Sequence, residues 1–500
     1  MTIAFKKPIV DRYRVMRTWS RRRPGVPWWA IYSAGSLVSA AVLLLNGSNA
    51  ICVFLALCAV LVSLVPAWLY GWRDMPSLVC LLVGARYATS AMVWKLLSWG
   101  TLDDGLYAPE ASFLVVFLGI CSVTLAAIVA RALWRKSPLL QERYSSVSLQ
   151  FLLFVGMVCT LGGTLIGFSR IEILGGISAL VGRGFILLPL AWIALNIRRG
   201  RTPITLGFAI FLTVFSLGLL SFNSRLGLAS SFIAITAYLI CYKIKVSKTA
   251  ISLATLAACF FVFVVAPAMT DVRGDRDQLT PTELVGATVM QFGKRISGDV
   301  SDKRSEFDSY FLRYTTGANN FVERAVNVQQ LDFVVALTQN HGTIGLDRFQ
   351  KSLFQLLPSI FVSNKDVITS PSYVFWVAGT FDWGQERQIE TTAFGDAYVM
   401  GGYPFVIFAL FIVFLLIFLI FRFFCPVFEK SLLASFFISS YIHFFTASTV
   451  IGLISMLIRE MPFEILLFSL ASNVRPRRIQ SWSTYPKQFA RYNSTSIHSK

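Results

Sequence analysis

The chain has 500 residues, 55% hydrophobic and only 14% charged, with a mean hydropathy of +0.64. Soluble domains carry about 25% charged residues. The deficit, together with repeated apolar runs of ~20 residues, excludes an ordinary soluble fold and predicts an all-α, polytopic integral membrane protein. The net charge of +19 sits mainly in the termini and in short loops. That is the pattern of topology determinants flanking membrane spans, not of a nucleic-acid-binding surface.

Residues 1–27 form a basic N-terminus with Lys6, Lys7, Arg12, Arg14, Arg17 and the run Arg21, Arg22, Arg23. The apolar run that follows, 28–45, is longer than the apolar core of a cleaved signal peptide and reads as an uncleaved first span. The hydropathy pattern predicts about twelve spans: 28–45, 50–70, 77–99, 111–133, 149–168, 177–196, 204–222, 226–242 and 249–268, then 398–424, 431–449 and 451–472. Arg459, Glu460, Pro462 and Glu464 interrupt the last of these, which admits a return loop followed by a short helix. A basic tail, 473–500, closes the chain.

Alternate connections carry the cations: Arg73; Arg135, Lys136 and Arg143; Arg198, Arg199 and Arg201; Lys243, Lys245 and Lys248; Arg422 and Lys430. They fall on the side of the N-terminus, which makes that side and both termini cytoplasmic. The opposite connections carry only Arg170 and Arg225, beside Asp103, Asp104 and Glu110. Between the ninth and tenth spans lies a polar segment, 269–397, with 12 Lys and Arg against 16 Asp and Glu. A loop of this length is usually functional, and the alternation puts it outside. Its apolar spacing predicts helical patches at Glu283–Ile296, Asn319–Thr338 and Leu346–Leu357. These either lie on the membrane surface or pack on themselves as a small cap.

A charge inside the bilayer is costly and marks a candidate site. The outer half offers Arg86 and Lys95 in the third span, Arg183 in the sixth and Arg225 in the tight turn between the seventh and eighth. Arg273 and Arg276 follow where the ninth span emerges, and Arg348 and Arg387 lie further on. Arginine suits phosphate because its planar fork donates paired hydrogen bonds and keeps its charge. Each also has a structural reading. Lys95 sits near a span end and can snorkel, Arg86 can pair with a carbonyl, and Arg273 and Arg276 can form a solvated run with Asp271, Asp275 and Asp277. For acid–base work the outer residues are Asp382, Glu386, Glu390, Asp396 and His341. Asp396 stands where the chain returns to the membrane, and also suits an N-cap. The eight cysteines all lie in or beside apolar segments, without a CxxC, and the three histidines are far apart. No metal site, cofactor motif or Ser-His-Asp set is expected.

Three stretches resemble the O-antigen polymerase (Wzy-like) family of bacterial oligosaccharide repeat-unit polymerases. They are Phe222-Asn223-Ser224-Arg225-Leu226-Gly227; Asp347-Arg348-Phe349 through Phe354-Gln355-Leu356-Leu357-Pro358 with Asn364-Lys365; and Gly395-Asp396-Ala397-Tyr398 with Gly401 and Gly402. The chain departs from the family in having Ser359 after the Leu-Pro. It also lacks a histidine between Glu386 and Ala397, which favours a polymerase over the sister ligases.

The resemblance implies a bacterial inner-membrane enzyme. It would transfer a growing glycan from undecaprenyl pyrophosphate to the next lipid-linked repeat at the periplasmic leaflet. Its partners would be that lipid-linked oligosaccharide, membrane lipid and a chain-length regulator. In this reading Arg225 and Asp396 are catalytic candidates. Arg225, Arg273 and Arg276 would hold pyrophosphate, while Arg348, Arg387, Arg183 and Arg86 would make further substrate contacts. The alternatives are a ligase or other lipid-linked glycosyltransferase, and a polysaccharide flippase or exporter. Against the last stands the absence of a repeat between halves and of acids in the spans before the loop.

Overall fold

A computed structural model describes residues 27–134, 138–140, 142, 144–169, 183–199, 281–297, 326–346, 391–428 and 431–473, with single residues between them. Among the described residues the chain is helical, without a strand; the one β-type contact is an isolated bridge between Asp74 and Val427. The helices are α1 Trp28–Leu45, α2 Ala50–Tyr70, α3 Met75–Leu97, α4 Pro109–Leu133, α5 Ser146–Ser169 and α6 Gly184–Arg198. Then come α7 Pro281–Ser297, α8 Asn327–His341, α9 Ala393–Phe424, α10 Leu432–Ala447 and α11, 450–473.

Five of these, α1, α2, α3, α4 and α9, are long and apolar enough to cross a membrane by length and composition. Their outward faces carry Ile31, Val38, Phe54, Leu125, Phe408 and Ile412, each more than half exposed. Surfaces of that kind belong against lipid. Helices α5, α6 and α10 contribute shorter apolar stretches. Spans seven to nine of the expected twelve, apart from Ser252, Leu256 and Ala268, and both chain ends lie outside the described residues. The last expected span is a continuous helix. Val450–Ser455, the π-turn Met456–Glu460 and Met461–Asn473 follow one another with right-handed backbone at each junction.

Local sequence explains the boundaries. Asn49 caps α2, its side-chain oxygen accepting from the Ile51 amide at 2.8 Å, and Gly71 ends that helix at φ +87°, a conformation glycine adopts without strain. Pro109 opens α4. Ser431 and Thr449 cap α10 and α11 by accepting from Ala434 and Gly452. Between helices, small residues set the spacing. The Gly156 and Gly184 backbones let α5 and α6 cross in direct contact. An aromatic row on α9, Phe414, Phe418 and Phe421, ends at Phe421, which meets Phe437 and Phe445 of α10 at centroid distances of 5.9 and 5.8 Å.

The two ends of the bundle are fastened differently. At the basic end Asp74 receives Arg131 at 3.0 Å and Arg422 at 3.2 Å, and Arg422 also donates to the Trp134 carbonyl at 3.2 Å. Glu142 accepts from the Ser431 hydroxyl and from the Leu432 and Leu433 amides, satisfying donors that the first turn of a helix leaves open. At the other end Asn49 donates to Asp103 and Glu110, and helix α8 is packed down onto the bundle.

Of the expected helical patches, Glu283–Ile296 matches α7 and the second half of Asn319–Thr338 falls in α8. Leu346–Leu357 lies almost wholly outside the described residues. Helix α8 takes neither of the two arrangements expected for it. Leu331, Asp332, Val334 and Val335 are 0–1% exposed, and it packs on α4 and α9 as part of the core.

Candidate functional site

The site is assembled at the loop end, where α3, α8, α9, α10 and α11 meet. Helix α3 is interrupted by a π-turn, Ala85–Thr89. Such turns are rare and frequent at functional sites. This one carries Arg86 and Tyr87. Arg86 Nε donates to Asn327 Oδ1 at 3.1 Å and its Nη1 to Thr446 Oγ1 at 3.0 Å. The Asn327 amide in turn donates to the Thr446 carbonyl. A half-buried cation is thereby joined to the first residue of α8 and to the end of α10. The neighbouring Tyr87 ring stacks on Phe394, 4.3 Å between centroids and 11° between planes. Phe394 fits because Gly119 of α4 has no side chain; a Cβ there would lie 2.7 Å from the ring.

Asp396 sits in the first turn of α9 and is fully buried. Its Oδ2 accepts from the Val450 amide at 3.1 Å. Val450 opens α11, whose positive dipole end favours a carboxylate. The N-cap expected of Asp396 for its own helix is instead supplied by Thr392. Asp396 serves the first turn of a different helix. Thr392 lies at φ +58°, in a region that non-glycine residues enter at a cost of ~1–3 kcal/mol and mostly at functional positions. Arg86 and Asp396 therefore hold the two flanks, Thr446 and Val450, of one turn. Beyond Asp396 the helix breaks at Gly401 and Gly402, the latter at φ +66°. The Val399 carbonyl freed near the break accepts from Ile344 of the loop at 2.9 Å.

Asp332 fastens α8 to α4. It accepts from the Tyr107 amide at 2.6 Å, the Ala108 amide at 2.9 Å and Ser112 Oγ at 2.8 Å. Burial pushes its carboxyl above the usual range, and these three donors pull it back. Lys95, expected to snorkel, is buried instead. It donates to the Asp104 carbonyl at 2.7 Å and lies 4.1 Å from the centre of the Tyr314 ring.

Arg183 is not brought to Arg86. Its Nη1 donates to Glu464 Oε1 at 2.7 Å and to the Tyr441 hydroxyl, and its Nη2 to Glu460. Both arginines touch α10, but at Thr446 and Tyr441. Five residues of helix separate these by about 140° around the axis, so they occupy different faces. Arg225, Arg273, Arg276, Arg348 and Arg387 lie outside the described residues, as do Asp382, Glu386 and Glu390. Sequence reasoning missed Asn327, Thr446 and Asp332. An amide, a hydroxyl and one acid among many in the loop carry no local signal, and only their tertiary partners mark them.

An apolar groove of about 550 Å³ runs between α9 and α11, lined by Phe405, Phe408, Ile412, Leu416, Ile454 and Ile458 among others. Val450, the residue held by Asp396, stands among its lining residues. From Phe405 to Phe423 of α9 is about 27 Å at 1.5 Å per residue, close to the thickness of a hydrocarbon layer. No group of three or more metal-ligating side chains is found among the described residues. Comparison with protein-family models, with curated proteins and with solved structures finds no match for this chain.

Proposed function

We propose that the chain polymerises lipid-linked oligosaccharide repeat units, passing the growing glycan from undecaprenyl pyrophosphate to the next lipid-linked repeat at the periplasmic leaflet of a bacterial inner membrane. One observation carries this reading: Arg86, Asn327 of the loop and Asp396 converge on a single turn at the head of an apolar groove. A polyprenyl chain needs the groove, and a pyrophosphate leaving group needs cations at its outer end. Negative charge grows on that group in the transition state, and preorganised cations there lower the barrier.

In this reading Arg86, with Arg225, Arg273 and Arg276, supplies that charge, and Arg348 and Arg387 contact glycan or phosphate. Asp396, buried against Val450, positions the turn and stands nearest to an acceptor sugar. The reading calls for no cofactor, and its partners are the lipid-linked oligosaccharide and a chain-length regulator. A ligase would use the same parts. An exporter is favoured by one observation, the buried carboxylate of Glu464 with the partly buried Glu460 beside it on α11, since coupled transport uses acids in the spans.

Deletion of the gene and profiling of surface glycan and lipid-linked intermediates tests the reading. A polymerase mutant accumulates single repeat units and makes no long chains. Unchanged chain length would sink the proposal. Full-length polymer stalled on the carrier would point to a ligase, and repeat units trapped on the cytoplasmic leaflet to a flippase. In the intact host, Arg225→Ala and Arg86→Ala are each expected to abolish long chains while the protein remains in the membrane.

A further inference from the structure

Helix α3 ends in a Schellman motif. The Gly100 amide donates to the Lys95 carbonyl at 3.0 Å and the Trp99 amide to the Leu96 carbonyl at 3.3 Å, satisfying two carbonyls that the last turn of a helix leaves open. The motif needs one residue in the left-handed region, and glycine is its usual occupant because it has no Cβ to clash. Here Trp99 holds that position at φ +54°, although a glycine follows it directly. A bulky side chain in this conformation is an outlier. The indole is also 82% exposed, so packing within the chain does not offset the strain.

Trp99 has apolar company. Leu97, two residues before it, and Leu45, at the end of α1, are each more than two-thirds exposed. The connections that follow them are joined. The Leu102 amide donates to Ser48 Oγ at 2.9 Å, and the Asn49 amide to Asp103 at 2.9 Å. The three side chains therefore mark the same end of the bundle.

The basic end carries a counterpart. Trp28 opens α1 and Trp68 stands in the last turn of α2, both exposed. From Trp28 to Leu45, and from Ala50 to Trp68, the helices rise ~26–27 Å at 1.5 Å per residue, close to the ~30 Å of a hydrocarbon layer. Between these levels α1 and α2 carry no charged residue. The charges of α3 there are engaged within the chain, Arg86 by Asn327 and Thr446 and Lys95 by the Asp104 carbonyl. Charge reappears just outside each level, as Asp103 and Asp104 beyond Trp99 and as Arg73 beyond Trp68.

Tryptophan is enriched at both membrane–water boundaries, where an apolar ring with one N–H donor suits a layer that is apolar on one side and wet on the other. A protein partner would cover Trp99 without calling for tryptophans a bilayer's width away; a bilayer calls for both. We infer that Trp99, with Leu97 and Leu45, is a lipid-interface anchor. It seats the loop end of the bundle at the boundary between phospholipid headgroups and acyl chains, opposite Trp28 and Trp68. Transfer of the indole into that layer offsets the strain of its backbone. The inference rests on α1, α2 and α3 as membrane spans and not on the polymerase reading.

The test uses the full-length chain labelled with fluorotryptophan and reconstituted into nanodiscs of phosphatidylethanolamine and phosphatidylglycerol. The fluorine resonance of Trp99 is identified among those of the twelve tryptophans by its loss in Trp99→Gly, which suits the left-handed backbone, or in Trp99→Phe should the glycine variant not accumulate. A lipid nitroxide placed next to the headgroups is expected to broaden this resonance several-fold more than a nitroxide at the acyl-chain end or a gadolinium chelate in the water. Strongest broadening by the chelate would leave the indole in water and overturn the inference. Strongest broadening by the chain-end nitroxide would put it at the bilayer centre and overturn it too. Insensitivity to all three probes would mean that protein covers Trp99, a second copy or another part of the chain, and overturn it equally.

Discussion

Arg86 donates a 3.1 Å hydrogen bond to the side-chain oxygen of Asn327, 241 residues further along the chain. One residue belongs to an apolar helix and the other to the long polar segment. The contact joins α8 to the core of the bundle and holds its first residue against the turn 446–450.

That bond sets the first prediction. Hydrogen bonds to charged groups contribute about 1.5–3 kcal/mol. Asn327→Ala removes one partner of Arg86 and one donor to the Thr446 carbonyl. Destabilisation of about 2 kcal/mol is expected, with increased proteolytic nicking of the segment around α8. A double-mutant cycle with Arg86→Met should show non-additivity, since the residues are in contact. Strict additivity in chemical denaturation would refute the coupling.

Asp332 provides the second. Replacement by Ala strands the Tyr107 and Ala108 amides at the start of α4. Each unsatisfied buried donor costs about 1–3 kcal/mol. Amide exchange in residues 327–341 should accelerate by tens-fold while α2 stays protected. Equal acceleration in both would mean global unfolding, not release of α8.

Gly119 provides the third. Overpacking costs typically ~1–3 kcal/mol. In Gly119→Val the added carbons meet the Phe394 ring, which must tilt off Tyr87. Tyr87 and Phe394 flank Arg86 and Asp396 in sequence, so on the polymerase proposal long-chain glycan should fall with the shift. Phe394→Leu in the same chain should restore part of it; failure of that rescue would place the defect elsewhere.

The fourth concerns pH at the opposite end. Burial pushes the Glu142 carboxyl up to about 7, against the pull of Ser431 and the Leu432 and Leu433 amides. The unfolded value is the ordinary 4.5, so the folded chain binds this proton more tightly. Its contribution to stability is complete below about pH 4.5 and is lost as the pH rises through about 7. Thermal midpoints of the wild type should fall across that window relative to Glu142→Gln. Parallel curves for the two proteins would contradict it.

Much of the frame is legible in the sequence. The starts of α1 and α2, and the ends of α4 and α9, match the apolar runs, because hydropathy is a property of a contiguous window. Asp396, Arg86 and Arg183 are conspicuous because a charge among apolar residues stands out wherever it folds. The continuous α11 was less legible. Arg459, Glu460 and Glu464 look like interruptions until Arg183 is placed beside them.

By itself the sequence determines that this is a helical membrane protein, where its apolar helices run, and which few charges lie among them. Tertiary structure decides what those charges do. Arg183 meets Glu464 across 281 residues, Arg86 meets Asn327 across 241, and Asp396 supports Val450 of α11. The physical reason is one of range. Burial along a helix is written in its own periodicity, whereas the pairing of polar groups depends on how helices rotate and approach each other. Close approaches such as Phe394 over Gly119 set that geometry, and no local pattern encodes it.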